Sequence, residues 1–140
     1  MIRFDGLWFN EFTSRRIMAE LARHNPAHAK LSHDQVANRV TRFSFMSALA
    51  KLNGLPFFPR VAEFCDGTLQ VGCNPKVLAG GLFTPLCRSG QDSLIVALAD
   101  PWSLLPDAYL APLFPDLELV RIVTLAPEIT RSIQAATLQG

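Results

Sequence analysis

The first part of the chain repeats apolar residues at helical spacing. Residues 13–24 place Ile17, Met18, Leu21 and Ala22 on one face with arginines beside them, which predicts a short amphipathic helix. The Asn-Pro pair that follows ends this helix, because the residue before a proline is pushed out of the helical region. A helix of about three turns is therefore expected here.

A second helix is predicted from its start signal. Ser32 and Gln35 form a capping box, in which each side chain satisfies a backbone amide at the beginning of a helix. Val36, Val40 and Phe43 continue from the box at helical spacing. We therefore expect a helical segment that reaches Phe43.

A third helix, or a bent continuation of the second, is predicted over residues 44–52. Met46, Leu49 and Ala50 share one of its faces. Gly54 stands just past its end, where a glycine typically takes up the left-handed conformation that caps a helix.

Four aromatic residues precede or open these helices, namely Phe4, Trp8, Phe9 and Phe12. We expect them to form an apolar arm that packs across the helices. An exposed strip that binds a partner is the alternative.

After Leu55-Pro56 the pattern changes to short β-like runs separated by turns. Residues 85–87 lead through a polar turn into residues 93–98, which predicts a hairpin. Its second strand is apolar on both faces, so we expect it to be central in the sheet. Asp100-Pro101 then predicts an N-cap with proline at the first helical position, for a helix over about residues 102–114.

The end of the chain predicts one more strand and one more helix. Residues 117–125 alternate as a strand does, and a helix starting at residues 126–128 would bury Ile129, Ile133 and Ala136. The order hairpin, helix, strand, helix implies a right-handed crossover between two parallel strands.

The predicted fold class is α+β. A small N-terminal helical subdomain with an aromatic arm, residues 1–54, precedes an α/β subdomain, residues 55–140, whose mixed sheet is covered by helices. The chain has 140 residues, 49% of them hydrophobic and 18% charged, which is the size of one domain and excludes intrinsic disorder.

Charge is unevenly distributed along the chain. Residues 1–60 hold nine Lys/Arg and four Asp/Glu (+5), whereas residues 61–140 hold four and eight (−4). The basic part would attract a nucleotide, an acidic protein or lipid headgroups, although solvated helix faces give the same count. Arg15, Arg16 and Arg23 are the best candidates for an anion contact, because a guanidinium matches phosphate and carboxylate geometry.

Four motifs occur in a fixed order along the second part of the chain: Gly54-Leu55-Pro56, Thr84-Pro85-Leu86, LIVALADP at residues 94–101, and Glu128-Ile129 followed by Ser132-Ile133. In order and spacing they resemble the N-terminal domain of general secretion pathway protein E, also called the MshEN domain. That domain precedes the motor of type II secretion and type IV pilus ATPases and is fused to some bacterial family 2 glycosyltransferases. The match covers about residues 14–137.

The resemblance implies a non-catalytic regulatory or docking domain at the cytoplasmic face of the inner membrane. Its partner would be a protein of that membrane or a fused catalytic domain. The match ends where the family domain would pass into the next domain, so whether the chain is complete or an excised N-terminal piece stays open.

The resemblance also implies an alternative, a sensor of cyclic di-GMP. Some relatives bind this nucleotide through two copies of a motif similar to RLGxxLVxxG, and residues 16–25 follow one copy loosely. Met18 and Asn25 replace its two glycines, which removes the space for close backbone approach. The residues that we predict for nucleotide or partner binding are Arg15, Arg16, Ile17, Leu21, Ala22 and Arg23.

Catalytic and metal-binding signatures are not found in the sequence. Gly80-Gly81 lacks the lysine and hydroxyl residue of a phosphate-binding loop, so we expect a turn between a helix and a strand. Pro26 separates His24 from His28, and the three cysteines match no zinc spacing, so surface histidines and buried thiols are expected. We predict no enzyme, metal or cofactor, with an unrecognised small enzyme as the alternative.

The number of cysteines and the length of the apolar runs predict where the protein is located. An odd number of irregularly spaced cysteines fits a reducing compartment, and no apolar run is long enough to span a bilayer. We therefore predict a cytoplasmic protein, peripheral to the inner membrane at most, that binds no nucleic acid. Exchange of the first helix between protomers would give a homo-oligomer. The oligomeric state of the protein stays an open question.

Overall fold

The chain divides at the Leu55-Pro56 peptide into an N-terminal unit, Met1–Leu55, and a C-terminal unit that begins at Pro56. The computed structural model describes residues 1–139, with side chains through residue 136. Helices, a two-stranded sheet and a three-stranded mixed sheet are present, which confirms the predicted α+β class. None of the described helices is both long and apolar enough to cross a bilayer.

The N-terminal unit is a hairpin followed by helices. In chain order its elements are β1 (Ile2–Phe4), β2 (Leu7–Phe9), α1 (Glu11–His24), 3₁₀ turns at Pro26–Lys30 and His33–Gln35, α2 (Val36–Arg39) and α3 (Arg42–Leu52). Asn10 caps α1 by accepting a hydrogen bond from the Thr13 amide at 2.8 Å, so the first predicted helix is confirmed and begins at Glu11.

The predicted apolar arm begins with an antiparallel hairpin, which the sequence analysis did not predict although the sequence contains a signal for its turn. Asp5 and Gly6 both have positive φ, 49° and 81°, as the tightest hairpin turns require. The Asp-Gly pair is the sequence signal for such a turn, and the hairpin pairs Ile2 with Phe9.

Strand alternation divides the aromatic residues of the hairpin between two environments. Phe4 stacks on Phe45 with ring centroids 4.0 Å apart, and Phe9 lies 5.8 Å from the same ring. Trp8, on the opposite face of the hairpin, is 56% exposed, and Phe12, in the first turn of α1, is 71% exposed. Packing across the helices is therefore confirmed for Phe4 and Phe9 and wrong for the other two.

The second predicted helix is shorter than its pattern indicated. The Gln35 side chain accepts from the Ser32 amide at 2.9 Å, but the box opens a 3₁₀ turn and a four-residue helix. Val40 is extended, with φ −110°, and Thr41 caps a separate helix. Continuation to Phe43 is therefore wrong, because the Thr41 hydroxyl competes for the backbone amides that a continuous helix would use.

The third predicted helix is α3, and its end is confirmed in detail. Gly54 is left-handed, with φ 65°. Its amide donates to the Lys51 carbonyl at 3.2 Å, and the Leu55 amide donates to the Ala50 carbonyl at 3.0 Å. This is the Schellman arrangement that a C-terminal glycine typically closes.

The C-terminal unit is built on a three-stranded sheet. Its elements are 3₁₀ turns at Ala62–Phe64 and Gly67–Gln70, α4 (Pro75–Gly81), β3 (Phe83–Ser89), β4 (Ser93–Leu98), α5 (Leu105–Leu110), β5 (Glu118–Val123) and α6 (Ala126–Gln139). The strand order is β3-β4-β5, antiparallel between the first two strands and parallel between the last two. The predicted hairpin, central strand and crossover are confirmed.

The helix predicted over residues 102–114 is shorter. Asp100 accepts from the Trp102 amide at 3.1 Å, but it caps a turn, and the helix covers Leu105–Leu110. Pro106 has no amide proton with which to bond the carbonyl four residues earlier. The helix also ends before Pro112, so both prolines set its length.

Gly80 and Gly81 are the last two residues of α4, so the prediction of a turn at this pair is wrong. The left-handed residue is the next one, Leu82, with φ 52°. A Cβ atom on Gly81 would lie 2.7 Å from the buried Phe83 ring and 2.8 Å from Leu105. A side chain is excluded at Gly81 by packing and not by backbone conformation.

We predict that Gly81→Ala destabilises the protein by about 1–3 kcal/mol, because the fully buried Phe83 ring would have to move. Gly80→Ala is the matched control, since a Cβ there meets no atom within 4 Å. That variant should be neutral or more stable by about 0.5 kcal/mol. Urea unfolding of both variants measures the difference, and equal stabilities would contradict the packing argument.

Candidate functional site

The six residues predicted for binding lie on two sides of α1. Arg15, Arg16 and Arg23 are exposed, whereas Ile17 and Leu21 are 0% and 2% exposed and belong to the core. Ala22 is half-buried. The arginines can therefore reach a ligand from the exposed face, and the two large apolar residues position the helix.

Two of the three arginines have carboxylate partners within α1. Arg15 donates from Nε to Glu11 Oε1 at 3.1 Å, and Arg23 Nη1 lies 3.7 Å from Glu20 Oε2. Hydrogen bonding to Arg15 lowers the pKa of the Glu11 carboxyl. Arg16 has no carboxylate partner among the described residues, and its guanidinium lies 6.0 Å from the Phe12 ring centroid.

Glu20 contacts an imidazole, an ammonium and a guanidinium group although its side chain is buried. His24 Nε2 lies 2.9 Å from Glu20 Oε1, and Lys51 Nζ lies 3.6 Å from the same oxygen. Together with Arg23 these groups surround one carboxylate that is only 5% exposed as a residue. The sequence analysis expected the basic charge of this part of the chain to bind an external anion. Part of that charge is instead neutralised inside the N-terminal unit.

A polar cavity of about 390 Å³ lies in the N-terminal unit between α1, the turn that follows it and α3. It is lined by Leu21, His24, Asn25, His28, Phe43, Ser44 and Ser47. His28 Nδ1 is buried and has no hydrogen-bond partner among the described residues. The cavity therefore offers hydroxyl, amide and imidazole groups beside an aromatic ring, a set suited to a polar ring-shaped ligand.

The sequence reasoning found only Leu21 among the residues that line this polar cavity. Phe43 was predicted to continue the helical spacing of Val36 and Val40, but a new helix begins before it and its side chain is 55% exposed. Ser44 and Ser47 are spaced three apart, and this spacing on one helix face is the signal that could have found them.

An apolar groove of about 330 Å³ crosses one face of the sheet in the C-terminal unit. It is lined by Phe58, Arg60, Val61, Phe64, Leu86, Cys87, Ile95 and Ile122. Phe58 and Phe64 are 48% and 62% exposed, which is unusual for such large apolar side chains. The sequence analysis missed this groove, because it made no prediction for Phe58 and Phe64.

Half of this sheet face is covered and half is open. Ala97 and Ile122 are paired across β4 and β5 and lie under Val61 in a buried cluster. The neighbouring pair, Ile95 and Val120, is only partly buried, and Val120 is 39% exposed. The groove is therefore the uncovered remainder of the sheet face.

Glu128 holds the segment that forms one wall of the groove. Its Oε1 accepts from the Val61 amide at 2.9 Å and from the Ala62 amide at 3.4 Å. Its Oε2 accepts from Arg131 Nη1 at 2.8 Å. The carboxylate thus joins the segment after Pro56 to the first turn of α6, although the residues are far apart in sequence.

The three cysteines are free. Burial raises the pKa of the Cys65, Cys73 and Cys87 thiols. They therefore stay protonated at neutral pH, where the thiolate is the reactive form. Cys87 lies on the floor of the apolar groove, whereas Cys73 does not line it.

We predict that Glu128→Ala destabilises the protein by about 2–3 kcal/mol, because the buried Val61 amide loses a charged acceptor. Glu63→Ala removes an exposed carboxylate from the same covering segment and should change stability by less than about 0.5 kcal/mol. Chemical denaturation of the two variants measures this contrast. A small effect of Glu128→Ala would show that the covering segment is held by its apolar contacts alone.

Comparison with known proteins was made by sequence and by structure. No protein-family model matches the chain, and no curated protein matches it significantly. The fold, however, is that of the MshEN and GspE N-terminal domains, which confirms the resemblance predicted from the motifs at the level of the fold.

Two solved structures carry this conclusion. The structure of MshE with cyclic di-GMP superposes with a TM-score of 0.60 and 16% identity, over 84% of this chain and 88% of that chain. The N-terminal domain of XpsE gives a TM-score of 0.54 and 19% identity, over 91% of this chain and 98% of that chain.

Proposed function

We propose that this chain is a non-catalytic regulatory domain that docks a bacterial secretion ATPase or membrane glycosyltransferase to a protein partner at the cytoplasmic face of the inner membrane. The observation that carries the docking role is the apolar groove, where Phe58 and Phe64 expose apolar surface next to a buried core. Val120, which is paired with the groove residue Ile95, extends this exposed surface beyond the groove lining. The likeness to the XpsE N-terminal domain over most of both chains supports the proposal that this domain serves a secretion system.

The ionisable groups of the chain support a non-catalytic role. The buried carboxylates Glu20 and Glu128 are occupied by cationic side chains and backbone amides. A raised pKa keeps the Cys65 and Cys87 thiols in their unreactive form at neutral pH. These groups stabilise the two units, and the exposed surfaces remain for binding.

We predict that Arg15→Glu with Arg16→Glu weakens binding of the full chain to its partner complex in membranes of its own host. The charge reversal turns an attractive surface into a repulsive one, which slows encounter with an acidic partner. The matched control, Lys30→Glu with Arg39→Glu, changes the net charge equally at other exposed positions. Affinity purification followed by mass spectrometry compares the two. No secretion or glycosyltransferase component in any sample would refute the docking proposal.

A second candidate function is the sensing of cyclic di-GMP. The MshE structure with this nucleotide favours it, and so does the polar cavity beside α1. Arg16, which has no carboxylate partner among the described residues, would be the residue to meet a phosphate. Met18 and Asn25 at the two glycine positions, and the ion pair of Arg15 with Glu11, disfavour it.

We predict that cyclic di-GMP gives no saturable heat with the purified chain at moderate salt, because the motif lacks its glycines and its charges are partly compensated. GTP and ATP serve as nucleotide controls, and moderate salt suppresses simple charge attraction. Saturable binding at micromolar or lower concentration, lost in Arg16→Ala but not in Arg39→Ala, would make the chain a nucleotide sensor instead.

A further inference from the structure

The open half of the sheet face has the dimensions of a helix-binding surface. The strand register places Cys87, Ile95 and Val120 in one row across β3, β4 and β5. Adjacent strands lie about 4.8 Å apart, so this row is about 10 Å wide. An α-helix with its side chains is about 10–12 Å in diameter, so one helix lying along the strands would cover the row.

The groove walls supply apolar anchors for such a helix. Phe58 and Phe64 line the groove together with Val61, which already covers part of the face. They lie on a segment that crosses the sheet, since the Phe58 amide donates to the Val123 carbonyl of β5 and the Asp66 amide donates to the Leu86 carbonyl of β3. Exposed aromatic side chains next to a packed core are typical of the centre of a protein interface. Helices cover sheet faces in layered folds, whereas extended segments add to sheet edges.

Charges at the two ends of the groove give the surface a direction. Arg60 is the only charged residue that lines the groove, and it has no carboxylate partner among the described residues. Glu118 does not line the groove, but it shares the strand face of Val120 and Ile122, because side chains alternate along a strand. It therefore marks the other end of the uncovered part of this face.

We propose that the apolar groove receives an amphipathic α-helix of the partner protein. The apolar face of the helix would cover Ile95 and Val120, an acidic residue would meet Arg60, and a basic residue would meet Glu118. Arg60 precedes Val61, which packs with Ile122, and residues 118 and 122 are separated by about 13 Å along the strand. The two charges of the helix would therefore be about two turns apart. This inference rests on the docking function proposed above.

The test uses the full chain and three synthetic peptides of about 18 residues with the same composition. The first has apolar residues at helical spacing with Glu and Lys two turns apart, the second exchanges that Glu and Lys, and the third alternates apolar and polar residues as a strand does. We expect the first peptide to bind at least about fivefold more tightly than the others, as read by fluorescence anisotropy. It should also become helical on binding, which circular dichroism detects.

Two variants locate the binding site. Val120→Lys places a charge on the exposed part of the row and should weaken binding of the first peptide by about tenfold. Arg60→Glu should reverse the preference between the first and second peptides. Arg88→Glu, an exposed arginine that does not line the groove, is the matched control and should leave that preference unchanged.

The native thiols give an independent readout. The bound peptide should protect Cys87 from alkylation at about pH 9, where more of the thiol is ionised. Cys73 is buried and lies outside the groove, so its reactivity reports unfolding of a variant. A Val120→Lys protein whose Cys73 stays unreactive is folded, and loss of peptide binding then reflects the groove.

Several outcomes would overturn the inference. Equal binding of the three peptides, no binding of any, or unchanged binding in Val120→Lys would each remove the helix site. If the wild-type chain is a dimer by light scattering and Val120→Lys is a monomer, the occupant is a second copy of this chain. Failure of the peptides while the host partner still co-purifies would refute this site and leave the docking function standing.

Discussion

The carboxylate of Glu128 is the interaction on which the C-terminal unit depends. It accepts from the Val61 and Ala62 amides and binds Arg131, so it fixes the segment after Pro56 against the start of α6. Phe57 also bridges to Val123 in parallel, beside this contact. One buried charge therefore decides how much of the sheet face is covered and where the groove opens.

A comparable carboxylate organises the N-terminal unit, with a different effect on function. Glu20 is surrounded by His24, Lys51 and Arg23, so a helix with a basic sequence has less free positive charge than its composition indicates. Charge counts along a sequence do not include such pairing, because it depends on which residues of α1 and α3 meet. This pairing is one physical reason why we propose protein docking and not nucleotide sensing as the function.

The elements that could be predicted from the sequence were those with local signals. The Asn-Pro pair after α1, Gly54 at the end of α3 and the alternation of β5 act through their own backbone, so they were predicted correctly. The parallel pairing of β4 with β5 followed from element order. The predicted lengths of the helices near Thr41 and Pro106 were wrong. At these positions an N-cap and a missing amide proton interrupt the helix, although the spacing of apolar residues continues.

The candidate sites were harder to predict because they are made by contacts between distant residues. The groove needs Phe58 from the start of the C-terminal unit and Ile122 from its end, and no spacing in the sequence relates the two. The polar cavity likewise joins His28 to Ser47. Only Asp5-Gly6 was a local signal that the sequence contained and the reasoning overlooked.

The hydrogen bonds that join the first residues of the C-terminal unit to its last helix affect the order of folding. Val61 and Glu128 are 67 positions apart, and such distant contacts form late because a long loop must close first. During synthesis the N-terminal unit, whose contacts are made within its own 55 residues, can fold while the rest of the chain is still emerging. The C-terminal unit has to wait for α6, so its apolar strands are exposed on the ribosome until that helix has been made.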